Sequence, residues 1–143
     1  MVPTLLIVDD SRTVRTLARQ VCLRRGWRLL EAREVSEALR LTEVHPVDFT
    51  LLDTTLRGIA AAGAMDLFRN QPNTQTTPIA LLAPASGHGG VPPQARARAH
   101  GLLSKPFSRY ALDLALQRWL IEAGIIERSG NGLALGAEAP SAG

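Results

Sequence analysis

The fold is decided by the stretch Thr4-Leu5-Leu6-Ile7-Val8-Asp9-Asp10-Ser11, in which a short apolar run leads directly into a helical pattern. Thr4–Val8 has the length and composition of a buried β-strand. From Ser11 to Arg25, apolar side chains recur at three- and four-residue spacing, at Val14, Leu17, Ala18 and Val21. Gly26 follows, and glycine is common where a helix ends. The chain is therefore predicted to begin with one strand followed by one helix.

The same alternation continues along the chain. Further strands are predicted at Trp27–Glu31, Val47–Leu52, Pro78–Leu82 and Leu102–Ser104, and further helices at Val35–Val44, Ala60–Asn70, Pro93–His100 and Ser108–Ala123. Five consecutive strand–helix units predict an α/β fold with a doubly wound, five-stranded parallel sheet. Residues 124–143 are rich in Gly, Ala and Ser, which predicts a flexible tail after a folded domain over residues 1–123.

Composition argues against several classes of protein. The 143 residues, 45% of them hydrophobic, suit one domain with its own core. The N-terminus carries neither a basic leader nor a long apolar run, so we expect no signal peptide and no membrane insertion. The single cysteine, Cys22, excludes an intramolecular disulfide. It is expected to be a packed, inert thiol and fits a cytoplasmic location.

The positive charge does not predict nucleic-acid binding. The net charge is +3, but the arginines are scattered and aromatic residues make up only 4% of the chain, so no basic surface interleaved with aromatics is expected. Three arginines, Arg12, Arg15 and Arg19, share one face of the first predicted helix. This face is either solvated or a docking surface for an acidic partner, and the sequence leaves both open.

Four charged residues are predicted to meet at one edge of the sheet. Asp9 and Asp10 follow the first strand, Asp53 follows the third, and Lys105 follows the fifth. Functional sites of doubly wound sheets lie outside the carboxyl ends of the strands. Close carboxylates repel by roughly 4 kcal/mol per pair at intermediate dielectric, which a hard cation such as Mg²⁺ relieves. Lys105 is the one lysine among 16 basic residues, which suggests a site whose geometry excludes guanidinium.

Such a constellation can support phosphoryl transfer. An aspartate carboxylate can act as the nucleophile and form an aspartyl phosphate, while Lys105 and a metal neutralise the phosphoryl charge. Simpler roles remain open at this point, because Asp10 could cap the first helix and Asp53 could be a solvated loop acid. An aspartate-dependent phosphatase is disfavoured, because Thr55 stands where that class has its second aspartate.

Three motifs resemble the receiver domain of two-component response regulators: Val8-Asp9-Asp10-Ser11, Leu51-Leu52-Asp53 and Lys105-Pro106-Phe107. The resemblance covers about Thr4–Ala123 and implies a flavodoxin-like fold with a signalling rather than an enzymatic role. It implies that Asp53 accepts a phosphoryl group from a histidine kinase or a histidine phosphotransfer domain.

The resemblance also implies a role for each residue around Asp53. Asp10 and Asp53 would bind Mg²⁺ directly, Asp9 would act largely through water, and the Thr55 carbonyl would complete the metal site. Lys105 would pair with the phosphoryl group, and the bond from Lys105 to the following proline is expected to be cis, as proline permits.

The sequence departs from this family where the phosphoryl group is usually held. Ala83 replaces a Thr or Ser whose hydroxyl contacts that group, and Pro84 replaces a residue that offers it a backbone N–H. Leu102 stands in place of the family's switch aromatic. Residues 86–93 are rich in Gly and Pro, which predicts a shortened fourth helix preceded by a mobile loop. Ser86, in that loop, is a candidate substitute hydroxyl.

Two functions follow from these motifs and departures. The first is a phospho-acceptor that signals through protein contacts, including a relay that accepts phosphate without the usual conformational readout. The second is a pseudo-receiver that binds its partner regardless of phosphorylation. The complete set of charged residues favours the first function. The replacement of three usual family residues by Ala83, Pro84 and Leu102 favours the second.

Overall fold

In the computed structural model of this protein, which describes residues 2–85 and 91–128, five β-strands alternate with five α-helices. The strands are β1 (Thr4–Val8), β2 (Arg28–Ala32), β3 (Phe49–Asp53), β4 (Ile79–Pro84) and β5 (Gly101–Lys105). The helices are α1 (Arg12–Arg25), α2 (Val35–Val44), α3 (Ala61–Arg69), α4 (Pro93–Arg98) and α5 (Arg109–Glu122). One 3₁₀ turn over Pro72–Thr74, which the sequence pattern did not predict, precedes β4.

The strands form one parallel sheet in the order β2-β1-β3-β4-β5. Every residue of β3 is buried, as its nearly continuous apolar sequence predicts for a strand covered on both faces. The direction in which successive strands are added to the sheet reverses at β1, with β2 on one side and β3 on the other. This is the topological switch point of a doubly wound sheet. The predicted five-stranded, flavodoxin-like parallel fold is confirmed.

The core lies in two layers, one on each face of the sheet. On one face, α1 and α5 pack over the sheet, and Trp119 of α5 stacks on Phe49 of β3 with ring centroids 6.0 Å apart. On the other face, α2 and α3 contribute Ala38, Met65 and Phe68. Buried apolar side chains of the central strands alternate between the two layers, so both helical layers are anchored to the strands that carry the aspartates.

The fourth helix is short, as the sequence predicts. α4 ends at Arg98, two residues before the predicted end. The backbone of Ala99 is extended, and the His100 N–H donates to the Ile79 carbonyl at 2.8 Å, so the chain joins the sheet before the helix can continue. The predicted mobile loop, including Ser86, falls largely on residues 86–90, which lie outside the described residues.

Packing at the C-terminus continues past the end of α5. Ile125 and Ile126 pack against the core, and their N–H groups donate to the Leu120 carbonyl at 2.8 and 3.2 Å. Ordered structure therefore extends a few residues beyond the boundary predicted at residue 123. Most of the predicted tail, residues 129–143, lies outside the described residues, and its flexibility stays a prediction.

Replacing Gly101 with alanine is expected to lower the free energy of unfolding by about 1–3 kcal/mol, the usual cost of overpacking a core. A Cβ at this position would lie 2.5 Å from Cε2 and 2.9 Å from Cζ2 of the buried Trp119 ring. Urea unfolding measures the loss. Gly63→Ala in α3 is the matched control, because its Cβ meets Ile59 at an ordinary 3.5 Å. An equal loss in both variants would contradict the steric explanation.

Candidate functional site

Three carboxylates converge at the carboxyl edge of the sheet, where the sequence places them. Asp9 and Asp10 follow β1, and Asp53 is the last residue of β3. Each offers an oxygen that lies within 4.8 Å of the oxygens of the other two. Asp9 and Asp53 are buried, whereas Asp10 is exposed. Parallel strands end at the same edge of a sheet, which is why residues 44 positions apart in sequence meet here.

Lys105, the last residue of β5, brings a positive charge to this cluster. Its Nζ lies 2.9 Å from Asp9 Oδ2 and 3.3 Å from Asp53 Oδ1. The peptide bond from Lys105 to Pro106 is cis, as the resemblance implies. The ammonium therefore bridges the two buried carboxylates, with the shorter contact to Asp9.

Backbone contacts hold the turn between β1 and α1. Asp9 Oδ1 accepts the Ser11 N–H at 2.8 Å, and Nη1 of Arg15 donates to the Asp9 carbonyl at 2.9 Å. Ser11 caps α1, because its hydroxyl accepts the Val14 N–H at 3.2 Å. The alternative role for Asp10 as the helix cap is therefore wrong, and its carboxylate is left at the mouth of the site.

The two oxygens of Asp53 have different surroundings. Oδ1 accepts the Thr55 N–H at 3.0 Å and the Thr55 hydroxyl at 2.8 Å, in addition to its contact with Lys105. Oδ2 is buried and has no hydrogen-bond partner within residues 2–85 and 91–128. Asp53 is thus not the solvated loop acid of the simpler alternative. It is a buried carboxylate with one oriented oxygen and one uncommitted oxygen.

The pKa values of two groups in this cluster are shifted by burial and by their neighbours. Burial raises the pKa of Asp9, even though Lys105 and the Ser11 N–H favour its charged form. For Lys105, burial by itself lowers the pKa, but the hydrogen bond and charge of Asp9 and the charge of Asp53 outweigh it and raise the pKa. Lys105 therefore stays protonated at neutral pH and keeps its charge for the site.

Acidification is expected to stabilise the wild-type protein relative to Asp9→Asn. The folded-state pKa of Asp9 is raised above 3.8, so the folded protein binds a proton at a pH where the unfolded chain does not. The stability difference, wild type minus variant, should therefore rise as the pH falls through the raised pKa and level off below 3.8. Urea unfolding with a chelator, from about pH 7 downward, measures it. A difference that falls on acidification would contradict the raised pKa.

The donor set fits a hard divalent cation. Carboxylate oxygens are the ligands that Mg²⁺ prefers, and it binds through one or two of them while keeping several waters. A cation here would also give a partner to the buried Asp53 Oδ2, which lacks a donor within the described part of the chain. The cluster of Asp9, Asp10 and Asp53 can therefore bind a metal.

The altered positions also lie where the sequence places them. Asp53 pairs with Leu82 of β4, so Ala83, the next residue of β4, lies beside the end of the strand that carries Asp53. β4 continues past its predicted end at Leu82, because Ala83 and Pro84 pair with residues of β5. Ala83 is buried and contributes only a methyl group, and Pro84 has no N–H. Leu102, on β5, is half-buried.

Two contacts at the site were missed by sequence reasoning. The Thr55 hydroxyl binds Asp53, and Arg15 binds the Asp9 carbonyl. Thr55 follows Asp53 at the two-residue spacing at which side chains bond nearby backbone or side-chain groups, and that spacing could have pointed to the contact. On the arginine face of α1, Arg19 forms two 2.8 Å hydrogen bonds with Glu31, so part of that face is internally paired rather than free for a partner.

The fold and the acidic cluster agree with a known family. The family model described as the response regulator receiver domain matches residues 5–117. This chain belongs to that family. Within its described residues, the receiver domain has no helix that is long and apolar enough to cross a membrane.

Solved structures resemble this receiver domain over most of its length. The receiver domain of the sensor histidine kinase PA1611 from Pseudomonas aeruginosa, with a magnesium ion coordinated in the active site cleft, has a TM-score of 0.68 and 26% identity. That likeness covers 84% of this chain and 98% of the other. The chemotaxis response regulator CheY4 of Vibrio cholerae has a TM-score of 0.71 and 25% identity, covering 84% and 100%.

Curated relatives are longer proteins. The transcriptional regulatory protein YvrH of Bacillus subtilis is 27% identical over 113 residues, which is 78% of this chain and 46% of YvrH. The CAI-1 autoinducer sensor kinase/phosphatase CqsS of Vibrio cholerae is 29% identical over 66 residues, which is 46% of this chain and 10% of CqsS. The match thus spans about half of one relative and about a tenth of the other.

Proposed function

We propose that this receiver domain accepts a phosphoryl group on Asp53, in a Mg²⁺-dependent transfer from a histidine kinase or a histidine phosphotransfer domain. It then signals through protein contacts in the cytoplasm. The observation that carries the proposal is the convergence on Asp53 of one ammonium and two further carboxylates, around a buried oxygen that has no partner among the described residues. Family membership supports the same reaction.

Each residue of the cluster has a part in this reaction. Asp53 is the nucleophile: one of its oxygens bonds to phosphorus as the bond to the donor's imidazole nitrogen breaks. Lys105 places its charge beside the acceptor and stabilises the phosphoryl oxygens in the transition state. Asp10, Asp53 and the Thr55 carbonyl would hold Mg²⁺, with Asp9 acting through water. When bound, the metal supplies charge neutralisation to the phosphoryl group.

A second function is favoured by the altered positions. A hydroxyl at Ala83 and an N–H at Pro84 would each donate a hydrogen bond to a charged group, worth roughly 1.5–3 kcal/mol. Their loss, together with Leu102 in place of an aromatic, favours a pseudo-receiver that binds its partner regardless of phosphorylation. If the protein is a phospho-acceptor, the same changes favour a relay without the usual conformational readout. The intact cluster of three aspartates and Lys105 supports the phospho-acceptor over the pseudo-receiver.

Intact-protein mass after incubation with acetyl phosphate and Mg²⁺ tests the proposal. We expect one phosphoryl adduct that is lost when Mg²⁺ is chelated and that is cleaved by hydroxylamine, as an acyl phosphate is. An ordinary receiver domain, labelled in parallel, shows that the conditions suffice. Absence of an adduct beside a labelled control would favour the pseudo-receiver, and the search would turn to a partner that binds the unphosphorylated protein.

A further inference from the structure

Thr55 orients the acceptor carboxylate from the side of the loop that follows β3. Its hydroxyl donates to Asp53 Oδ1 at 2.8 Å, and its N–H donates to the same oxygen at 3.0 Å. Thr55 is exposed, so a group that enters from solvent can reach this hydroxyl. The buried Oδ2 of the same carboxylate has no hydrogen-bond partner among residues 2–85 and 91–128. Both observations concern the atom pair at which phosphorus would be attached.

The neighbouring strand offers no equivalent donors. Ala83 follows Leu82, the partner of Asp53 in β4, and presents a methyl group. Pro84 follows and cannot donate, because its nitrogen carries no hydrogen. A phosphoryl group on Asp53 therefore receives no hydrogen bond from the Ala83 side chain or the Pro84 nitrogen, although charged groups in partly buried sites require donors.

We propose that the Thr55 hydroxyl supplies the phosphoryl contact that Ala83 and Pro84 cannot make, which makes Thr55 a catalytic residue of the transfer. The inference rests on the proposed phosphorylation of Asp53. A phosphoryl oxygen lies two P–O bonds away from the carboxylate oxygen to which phosphorus is attached. A hydroxyl in contact with the carboxylate reaches it through a small rotation of the side chain, and its hydrogen turns to suit the acceptor.

The step balances without an additional reactant. One Asp53 oxygen forms the bond to phosphorus as the bond between phosphorus and the leaving group breaks, and the leaving group keeps the bonding electron pair. The Thr55 hydroxyl retains its proton throughout. It moves its hydrogen bond from the carboxylate, which loses charge, to a phosphoryl oxygen, which keeps it. Because the carboxylate loses charge while the phosphoryl oxygen keeps it, the hydroxyl contact is stronger in the transition state than before the reaction, and a contact of that kind accelerates the transfer.

The test compares initial rates of adduct formation with acetyl phosphate and Mg²⁺, measured by intact-protein mass. Thr55→Val keeps the shape and removes the hydroxyl, and we expect a rate about 10- to 100-fold lower, the effect of one hydrogen bond to a charged group. Thr55→Ser should load close to the wild-type rate. Adding Ala83→Thr to Thr55→Val should recover most of the loss, because it returns a hydroxyl from the other strand. Thr54→Val is the matched control, since its hydroxyl has no hydrogen-bond partner in the described chain.

Several results would overturn the inference. One is that the wild type is labelled and Thr55→Val is labelled at the same rate. The same conclusion follows if Thr54→Val lowers the labelling rate as much as Thr55→Val does. Another is that adding Ala83→Thr to Thr55→Val fails to restore the labelling rate. A third is that the labelling rate falls in Ser86→Ala and not in Thr55→Val. A loss of Mg²⁺ affinity in Thr55→Val equal to the loss of rate, measured by calorimetry, would assign the effect to the metal site. An unlabelled wild type would instead reject the proposed function, so the two failures are distinct.

Discussion

Asp53→Asn is expected to abolish the phosphoryl adduct completely while the protein remains folded. The amide is nearly isosteric with the carboxylate and keeps an oxygen that can accept from the Thr55 N–H. It cannot attack phosphorus to form an acyl phosphate. It also removes one of three neighbouring negative charges, which repel by roughly 4 kcal/mol per close pair at intermediate dielectric. Intact mass measures the adduct, and circular dichroism measures the fold.

A matched carboxylate elsewhere provides the control for this prediction. Asp66 lies on α3, is exposed and pairs with Arg98 at 2.8 Å, outside the acidic cluster. Asp66→Asn should accept one phosphoryl group at the wild-type rate. An adduct of undiminished stoichiometry in Asp53→Asn would place the nucleophile on another residue, and peptide mapping would locate it.

The effect of Asp53→Asn on partner binding also distinguishes the two proposed functions. If phosphorylation governs binding, a partner's response to this protein should be lost in Asp53→Asn. If the protein is a pseudo-receiver, the partner should bind wild type and Asp53→Asn equally, with or without acetyl phosphate.

Lys105→Met is expected to slow adduct formation by about 10²–10³-fold, the effect of removing a preorganised donor from a site of developing charge. Among the described residues, the same change removes the one cation that forms ion pairs with the Asp9 and Asp53 carboxylates. Breaking a buried ion pair from one side costs about 3–5 kcal/mol, because a charge is left unpaired. Urea unfolding should show this loss in the presence of a chelator, and Mg²⁺ should restore part of it.

Lys105→Arg separates the charge of Lys105 from its shape. Guanidinium keeps the positive charge, so we expect a smaller loss of stability than in Lys105→Met. Its planar fork cannot reproduce the compact ammonium that contacts two carboxylates at 2.9 and 3.3 Å, so adduct formation should stay slow. Wild-type loading by Lys105→Arg would show that the lone lysine of this arginine-rich chain has no geometric role.

Several features of the site were predictable from sequence because they depend only on strand order and direction. Every parallel strand ends at the same edge, so the aspartates that follow β1, the aspartate at the end of β3 and the lysine at the end of β5 had to meet, whatever the exact register. Counting along β4 placed Ala83 beside Asp53 for the same reason, and the pairing of Leu82 with Asp53 agrees with it. An error of one or two residues in a predicted strand boundary does not change the edge of the sheet at which these residues lie.

Other features were decided by contacts between distant segments. α4 ends before its predicted boundary because the His100 N–H bonds to the Ile79 carbonyl. The spacing of apolar residues along α4 carries no information about this hydrogen bond to a distant strand. Ile125 and Ile126 belong to the packed structure because Leu120 and the core offer them partners, although the surrounding composition resembles a tail.

By itself, the sequence determined the fold, the edge at which the charged residues meet and the loss of donors at Ala83 and Pro84. These follow from the periodicity of apolar residues and from the covalent chemistry of each side chain. Only the tertiary structure decided which atoms touch: that Ser11 rather than Asp10 caps α1, that Lys105 lies closer to Asp9 than to Asp53, and that the Thr55 hydroxyl binds Asp53. The physical reason is that a hydrogen bond depends on rotamers and sub-ångström positions, which the packing of the whole domain sets and no local pattern records.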